Sequence, residues 1–123
     1  PGFNQSSPDL YFCLCPNANK YIGNSLPNVD LLRNSNYPIV IGTDSLASNN
    51  QLNILEELKA LQHQSPDVCL LELLQWATLN GAKALCLKER MGSFKKEKTP
   101  GILLITETRD NLFTAKSQVK RLL

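Results

Sequence analysis

Apolar positions recur along this chain with two different periods, and the changes of period mark its elements. Tyr11-Phe12-Cys13-Leu14-Cys15 is a short apolar run closed by Pro16, and Ile39-Val40-Ile41 is a β-branched run between Pro38 and Gly42. Both predict buried strands. Between them, Asn28-Val29-Asp30-Leu31-Leu32-Arg33 predicts a short capped helix, closed by Asn34, Asn36 and Pro38. Strand, helix, strand is a βαβ order, which calls for parallel strands with a right-handed connection. Residues 1–10 and 20–27 carry Gly, Pro, Ser and Asn punctuation and are expected to be loop.

Further on the period becomes helical. Ile54, Leu55, Leu58 and Leu61 form an apolar stripe with Glu56 and Lys59 on the wet face, which predicts a helix capped by Ser48 or Asn49 and ending near an exposed His63. Ser65-Pro66-Asp67 breaks the chain. Leu70, Leu73, Leu74 and Ala77 then form a second stripe, with Glu72 and Gln75 outward and Trp76 as a core or interface anchor. Asn80-Gly81 is expected to interrupt it before a short helical turn over 82–87. From Met91 the character changes again: Lys95-Lys96-Glu97-Lys98 reads as a solvated turn, Ile102 to Thr106 as a strand, and Arg109-Asp110-Asn111 as a turn before a final strand within 113–122. These late strands are expected to form a separate small sheet. The organisation is therefore residues 1–90 and residues 91–123.

Length, charge and cysteine content narrow the picture. The 123 residues are about one small domain, and a formal charge of +2 offers no field that would recruit nucleic acid. No apolar run approaches the ~18 residues of a membrane span. The opening PGFNQSSPDL has neither an initiator methionine nor a signal-peptide pattern, so a piece of a longer protein is expected. Cys13, Cys15, Cys69 and Cys86 match neither a disulfide scaffold nor a zinc ribbon. Cys13 and Cys15, two apart in a strand, are expected on one face as small core residues, and a cytoplasmic location follows. The single histidine, His63, leaves few routes to a first-row metal site within this chain.

The candidate chemistry sits at the end of the second strand. Gly42-Thr43-Asp44 stops a buried run with a carboxylate at its tip, and α/β folds place their reacting groups at the carboxyl ends of parallel strands. A cap or loop-bracing role is the alternative for Asp44. Asn17 and Asn19 follow the neighbouring strand and should share its rim, either bonding loop backbone or orienting a ligand.

Four segments carry a resemblance: CPNAN at 15–19, GTDSLASNN at 42–50, ATLNGAKAL at 77–85 and GSFKKEKTPGILLI at 92–105. In this order they resemble the C-terminal portion of metal-dependent amidohydrolases of the cytosine-deaminase and chlorohydrolase type, S-adenosylhomocysteine-deaminase-like proteins among them. The resemblance implies an α/β fold: the C-terminal part of a (β/α)8 TIM barrel, with its last two parallel strands and flanking helices, followed by part of a small β-sandwich. It implies that Asp44 is the carboxylate at the end of the eighth strand, a metal ligand and the proton acceptor in hydrolysis of a C–N or C–Cl bond of a small heterocyclic or amidine substrate. Ser48 and Asn49, with Asn17 and Asn19 opposite, are expected to hold the loop after Asp44 or to touch the substrate.

The implied cofactor is a divalent metal, zinc first and iron second. The family's histidine ligands belong to earlier strands, so this chain alone is expected to bind none and to be inactive. Three positions depart from the family pattern. Leu14 stands where histidine is frequent, and Cys86 and Glu97 stand where glycine is usual, which loses tolerance of positive φ. These departures keep a second reading open, a non-catalytic binding or scaffold protein on a degenerate amidohydrolase fold. The expected partners are a small-molecule substrate and further copies of the chain, through self-association or a homo-oligomer, with no nucleic acid and no membrane.

Overall fold

Two short strands set the frame. In the computed structural model, which describes residues 10–23 and 25–123, β1 (Phe12–Leu14) and β2 (Ile39–Ile41) pair in parallel with Phe12 opposite Ile39 and Leu14 opposite Ile41. The ladder continues past both strands, since Phe12 N–H donates to Pro38 O at 3.0 Å and Gly42 N–H to Leu14 O at 2.9 Å. The loop predicted for 1–10 lies outside the described residues except at Leu10.

The crossover holds two helices where one was expected. α1 (Pro16–Gly23) begins directly after β1, so Asn17 and Asn19 lie in its first turns and residues 20–23, expected to be loop, complete it. Proline suits the first helical position because its missing N–H has no intrahelical partner there. α2 (Val29–Arg33) is the predicted short helix, with the Asn28 side chain accepting from Leu31 N–H at 3.0 Å.

α3 (Ile54–Gln64) starts later than Ser48 or Asn49 would place it. Its cap is Asn53, whose side chain accepts from Leu55 N–H at 3.0 Å, because Ser48 and Asn49 are engaged elsewhere. Leu58 and Leu61 pack on the sheet side against Leu14 and Ile39, and His63 is exposed in the last turn.

α4 (Leu70–Gln75) runs through a π-helical turn (Trp76–Asn80) into α5 (Gly81–Ala84) without the predicted interruption. Asn80, 6% exposed, donates from Nδ2 to Ile39 O at 2.8 Å, and so ties this turn to β2. The helix ends in two bonds, Leu87 N–H to Ala82 O at 2.7 Å and Cys86 N–H to Lys83 O at 3.0 Å, with Cys86 at φ 57°. That is the left-handed position a glycine usually fills, and Glu97 at φ 70° is another.

β3 (Leu103–Arg109) and β4 (Leu112–Arg121) form a separate antiparallel sheet, as expected. Asp110 and Asn111 both have positive φ, as a two-residue hairpin turn requires. The wet face predicted for α3 is partly covered by this hairpin. Lys59 pairs with Glu56 at 2.7 Å and also donates to Ser117 O at 2.8 Å, while Gln62 and the Phe113 backbone exchange two bonds, 2.9 and 2.8 Å. Phe113 thereby joins the core that contains Leu61, Leu73 and Trp76.

Cys13 and Cys15 do share a face, but it is not the core face. Leu14 points to the helices and is buried, whereas Cys13 is exposed and Cys15 half-buried. Both sulfurs crowd Gly42, where a Cβ would lie 2.8 Å from Cys13 Sγ and 3.1 Å from Cys15 Sγ. All four cysteines are free thiols. Among the described residues, no helix is long and apolar enough to cross a membrane.

Candidate functional site

Asp44 is exposed at the carboxyl end of β2 and has φ 57°, a left-handed conformation that aspartate tolerates better than most side chains. The chain must turn sharply here to leave the strand, and the short loop that follows holds the turn. Ser48 Oγ donates to Asp44 Oδ2 at 2.6 Å, and Thr43 Oγ1 donates to Asp44 O at 3.1 Å. Asp44 Oδ1 accepts no hydrogen bond among the described residues. One carboxylate oxygen is fixed and the other is open.

Asn49 anchors the same loop from inside. It is 7% exposed, and its Nδ2 uses both hydrogens, one to Thr43 O at 2.8 Å and one to Glu57 Oε1 at 2.7 Å. The second Glu57 oxygen, Oε2, accepts from Asn17 N–H at 2.8 Å. Asn17 therefore reaches the rim through its backbone. Asn19 lies on the exposed side of α1, and its side chain makes no hydrogen bond among the described residues. The structure brings Asn17, Asp44, Ser48 and Asn49 into one hydrogen-bonded rim and leaves Asn19 out of it.

Glu57 is the member that sequence reasoning missed. It was hidden beside Glu56 on a helix read as wet on one side, yet it is fully buried, at 0% exposure. A signal was present. Glu57 stands three after Ile54 and four before Leu61, which puts an acid on the apolar stripe itself.

Cys15 borders Asp44 from the neighbouring strand. Burial pushes its thiol up to about 11, Cys13 adds to the rise, and the Asp44 backbone N–H opposes it. Among the described residues no group of three or more His, Cys, Asp or Glu could hold a metal ion. The open Oδ1 of Asp44 fits one coordination position, not a complete site.

A polar cleft of about 340 Å³ lies behind the rim, between α1 and the β2–α3 segment, lined by Asn17, Lys20, Tyr21, Ser48, Asn49 and Gln51 among others. Asp44 is not in its wall, so the cleft and the carboxylate are separate features.

Comparison with known proteins places this geometry in context. A 5-methylthioadenosine/S-adenosylhomocysteine deaminase from Thermoanaerobacter pseudethanolicus is 36% identical over 97 residues, covering 73% of this chain and 22% of that protein. A 5'-deoxyadenosine deaminase from Methanococcus maripaludis is 35% identical over 97 residues, with the same coverage of 73% and 22%. In three dimensions the chain is similar to an adenosine deaminase from Xanthomonas campestris with bound zinc, at a TM-score of 0.68 and 26% identity over 77% of this chain and 23% of that one. The chain thus spans less than a quarter of the length of these relatives. Residues 4–120 match the amidohydrolase family, nearly the whole sequence. With its parallel βαβ unit and a strand-end carboxylate held by its own loop, the chain belongs to the amidohydrolase family.

Proposed function

We propose that this chain works as the closing part of a longer metal-dependent deaminase, one that hydrolyses the exocyclic C–N bond of an adenosine-like nucleoside. Residues 1–90 supply the last two strands of a (β/α)8 barrel with their helices, and residues 91–123 supply part of a small β-sandwich. The observation that carries this reading is the similarity over 97 residues, at 36% and 35% identity, to two deaminases of adenosine-type nucleosides, with Asp44 at a strand tip inside it. Dechlorination of a related heterocycle ranks second, because the relatives named above are deaminases.

In a full-length protein Asp44 Oδ1 would hold one position of a divalent metal, and ligands from other segments would hold the rest. Zinc is the first choice and iron the second, since the similar adenosine deaminase carries bound zinc. A bound cation supplies positive charge that lowers the pKa of water and stabilises negative charge as it develops. Asp44 then serves as the acceptor for the proton that water gives up. Water adds at the carbon that bears the amino group, the proton taken by Asp44 is passed on to the departing nitrogen, and ammonia leaves with a carbonyl oxygen remaining. Ser48 Oγ donates to Asp44 Oδ2 and so fixes the orientation of the carboxylate. Asn17, Ser48 and Asn49 position the loop. For Asn19, the exposed side chain supports contact with a neighbouring segment or substrate.

The four free thiols support the cytoplasmic location. Tyr21 and Ile22, 70% and 72% exposed on α1, support self-association of the isolated chain. A monodisperse monomer in light scattering would contradict that.

The test of the activity is ammonia release by the zinc-loaded full-length protein from adenosine and 5'-substituted adenosines, with the accompanying shift in purine absorbance. Turnover of at least one of them is expected. No turnover of any, in a folded protein that binds zinc, would overturn the reading.

A further inference from the structure

We propose that Glu57 is a positioning residue, whose buried carboxylate joins the start of α1 to the Asp44 loop and so fixes where Asp44 stands. The inference rests on Asp44 being the reacting carboxylate. Its basis is chemical economy. Glu57 occupies a stripe position of α3 between Ile54 and Leu61, where a leucine would bury apolar surface without taking a charge out of water. A carboxylate is disfavoured there unless its oxygens are used, and both are.

The two bonds are informative because of what they join. Oε2 takes the Asn17 N–H, which belongs to the segment leaving β1, and Oε1 takes Asn49 Nδ2, which belongs to the segment leaving β2. The partners are 40 and 8 residues away in sequence, so Glu57 does not merely brace its own helix. The other hydrogen of Asn49 Nδ2 goes to Thr43 O, the residue next to Asp44. A continuous path therefore runs from α1 through Glu57 and Asn49 to the backbone that carries Asp44. Asp44 itself has positive φ, a conformation that needs such support to persist.

Both partners of Glu57 are donors, and this makes a near-isosteric probe available. An amide at this position accepts through its oxygen but turns an NH2 group toward the second donor. Glu57→Gln therefore breaks one half of the bridge with almost no change of volume.

The experiment compares the full-length wild-type protein with Glu57→Gln and Asp44→Asn, reading kcat, KM and amide exchange. For Glu57→Gln the expected result is a fall in kcat of about 10- to 100-fold with KM within about twofold, and faster exchange confined to Asn17 and residues 44–49. Wild-type kcat, or exchange raised equally in the β3–β4 hairpin, would overturn the proposal. If Glu57→Gln does not fold, Asn49→Ala cuts the same bridge from the loop side and is judged by the same criteria. Wild-type turnover in Asp44→Asn would instead defeat the reading of Asp44, and the exchange pattern separates the two failures.

Discussion

The rim around Asp44 and the β3–β4 hairpin both lean on α3, and they do so by unlike chemistry. The rim is held by a fully buried carboxylate that accepts from two donors on separate segments. The hairpin is held by a carboxamide, Gln62, that both gives and takes with the Phe113 backbone, and by the Phe113 ring in the core. A carboxamide paired with a backbone group satisfies itself locally and adjusts with it. A buried carboxylate between two donors has no such freedom, because every lost partner leaves a charge or a donor unmet. The rim is therefore tied to α3 through a buried carboxylate, whereas the hairpin is tied by the Phe113 ring together with hydrogen bonds from Gln62 and Lys59.

Substitutions sharpen this contrast, beginning with the largest expected effect. Phe113→Ala should lower unfolding free energy by about 3–5 kcal/mol, since a large ring leaves the core, and exchange should speed up first in β3 and β4. Denaturant titration and amide exchange of the full-length protein check this. A loss below about 1 kcal/mol would mean that the hairpin does not depend on its ring. Glu57→Gln should cost about 1–3 kcal/mol in the same titration, with the loosening at the rim and not at the hairpin. Equal loosening of both regions would erase the distinction drawn between them. Gln62→Ala should cost about 1 kcal/mol and leave the rim untouched, measured as faster exchange at Phe113 alone.

Much of this arrangement was legible in the residues, and the gaps have physical causes. Pro38 to Gly42 announced a buried strand because β-branched side chains leave it few other fates, and the parallel pairing followed from chain order. Asp110 and Asn111 announced the hairpin turn, and both take the positive φ it needs. Cys86 and Glu97, standing where glycine was expected, adopt the left-handed backbone that glycine would have made easy. Residues 20–23, expected to be loop, are helical instead, because Pro16 starts a helix directly after β1 and Gly23 marks its end, not the middle of a loop. Ser48 and Asn49 were misread as helix caps because capping and loop bracing use the same side-chain oxygens and amides. Only the later Asn53 leaves them free for Asp44, Thr43 and Glu57. The orientation of Cys13 and Cys15 was half legible: period two gave a shared face, but not which face the helices would cover.

Everything in the rim converges on one carboxylate with one open oxygen, and its removal is the most direct test. Ammonia release from an adenosine-like nucleoside should be measured for the full-length wild-type protein and for Asp44→Asn, with folding checked by circular dichroism. The account predicts a loss of about 10²- to 10⁴-fold in kcat for the folded variant. Turnover within about twofold of wild type would contradict it.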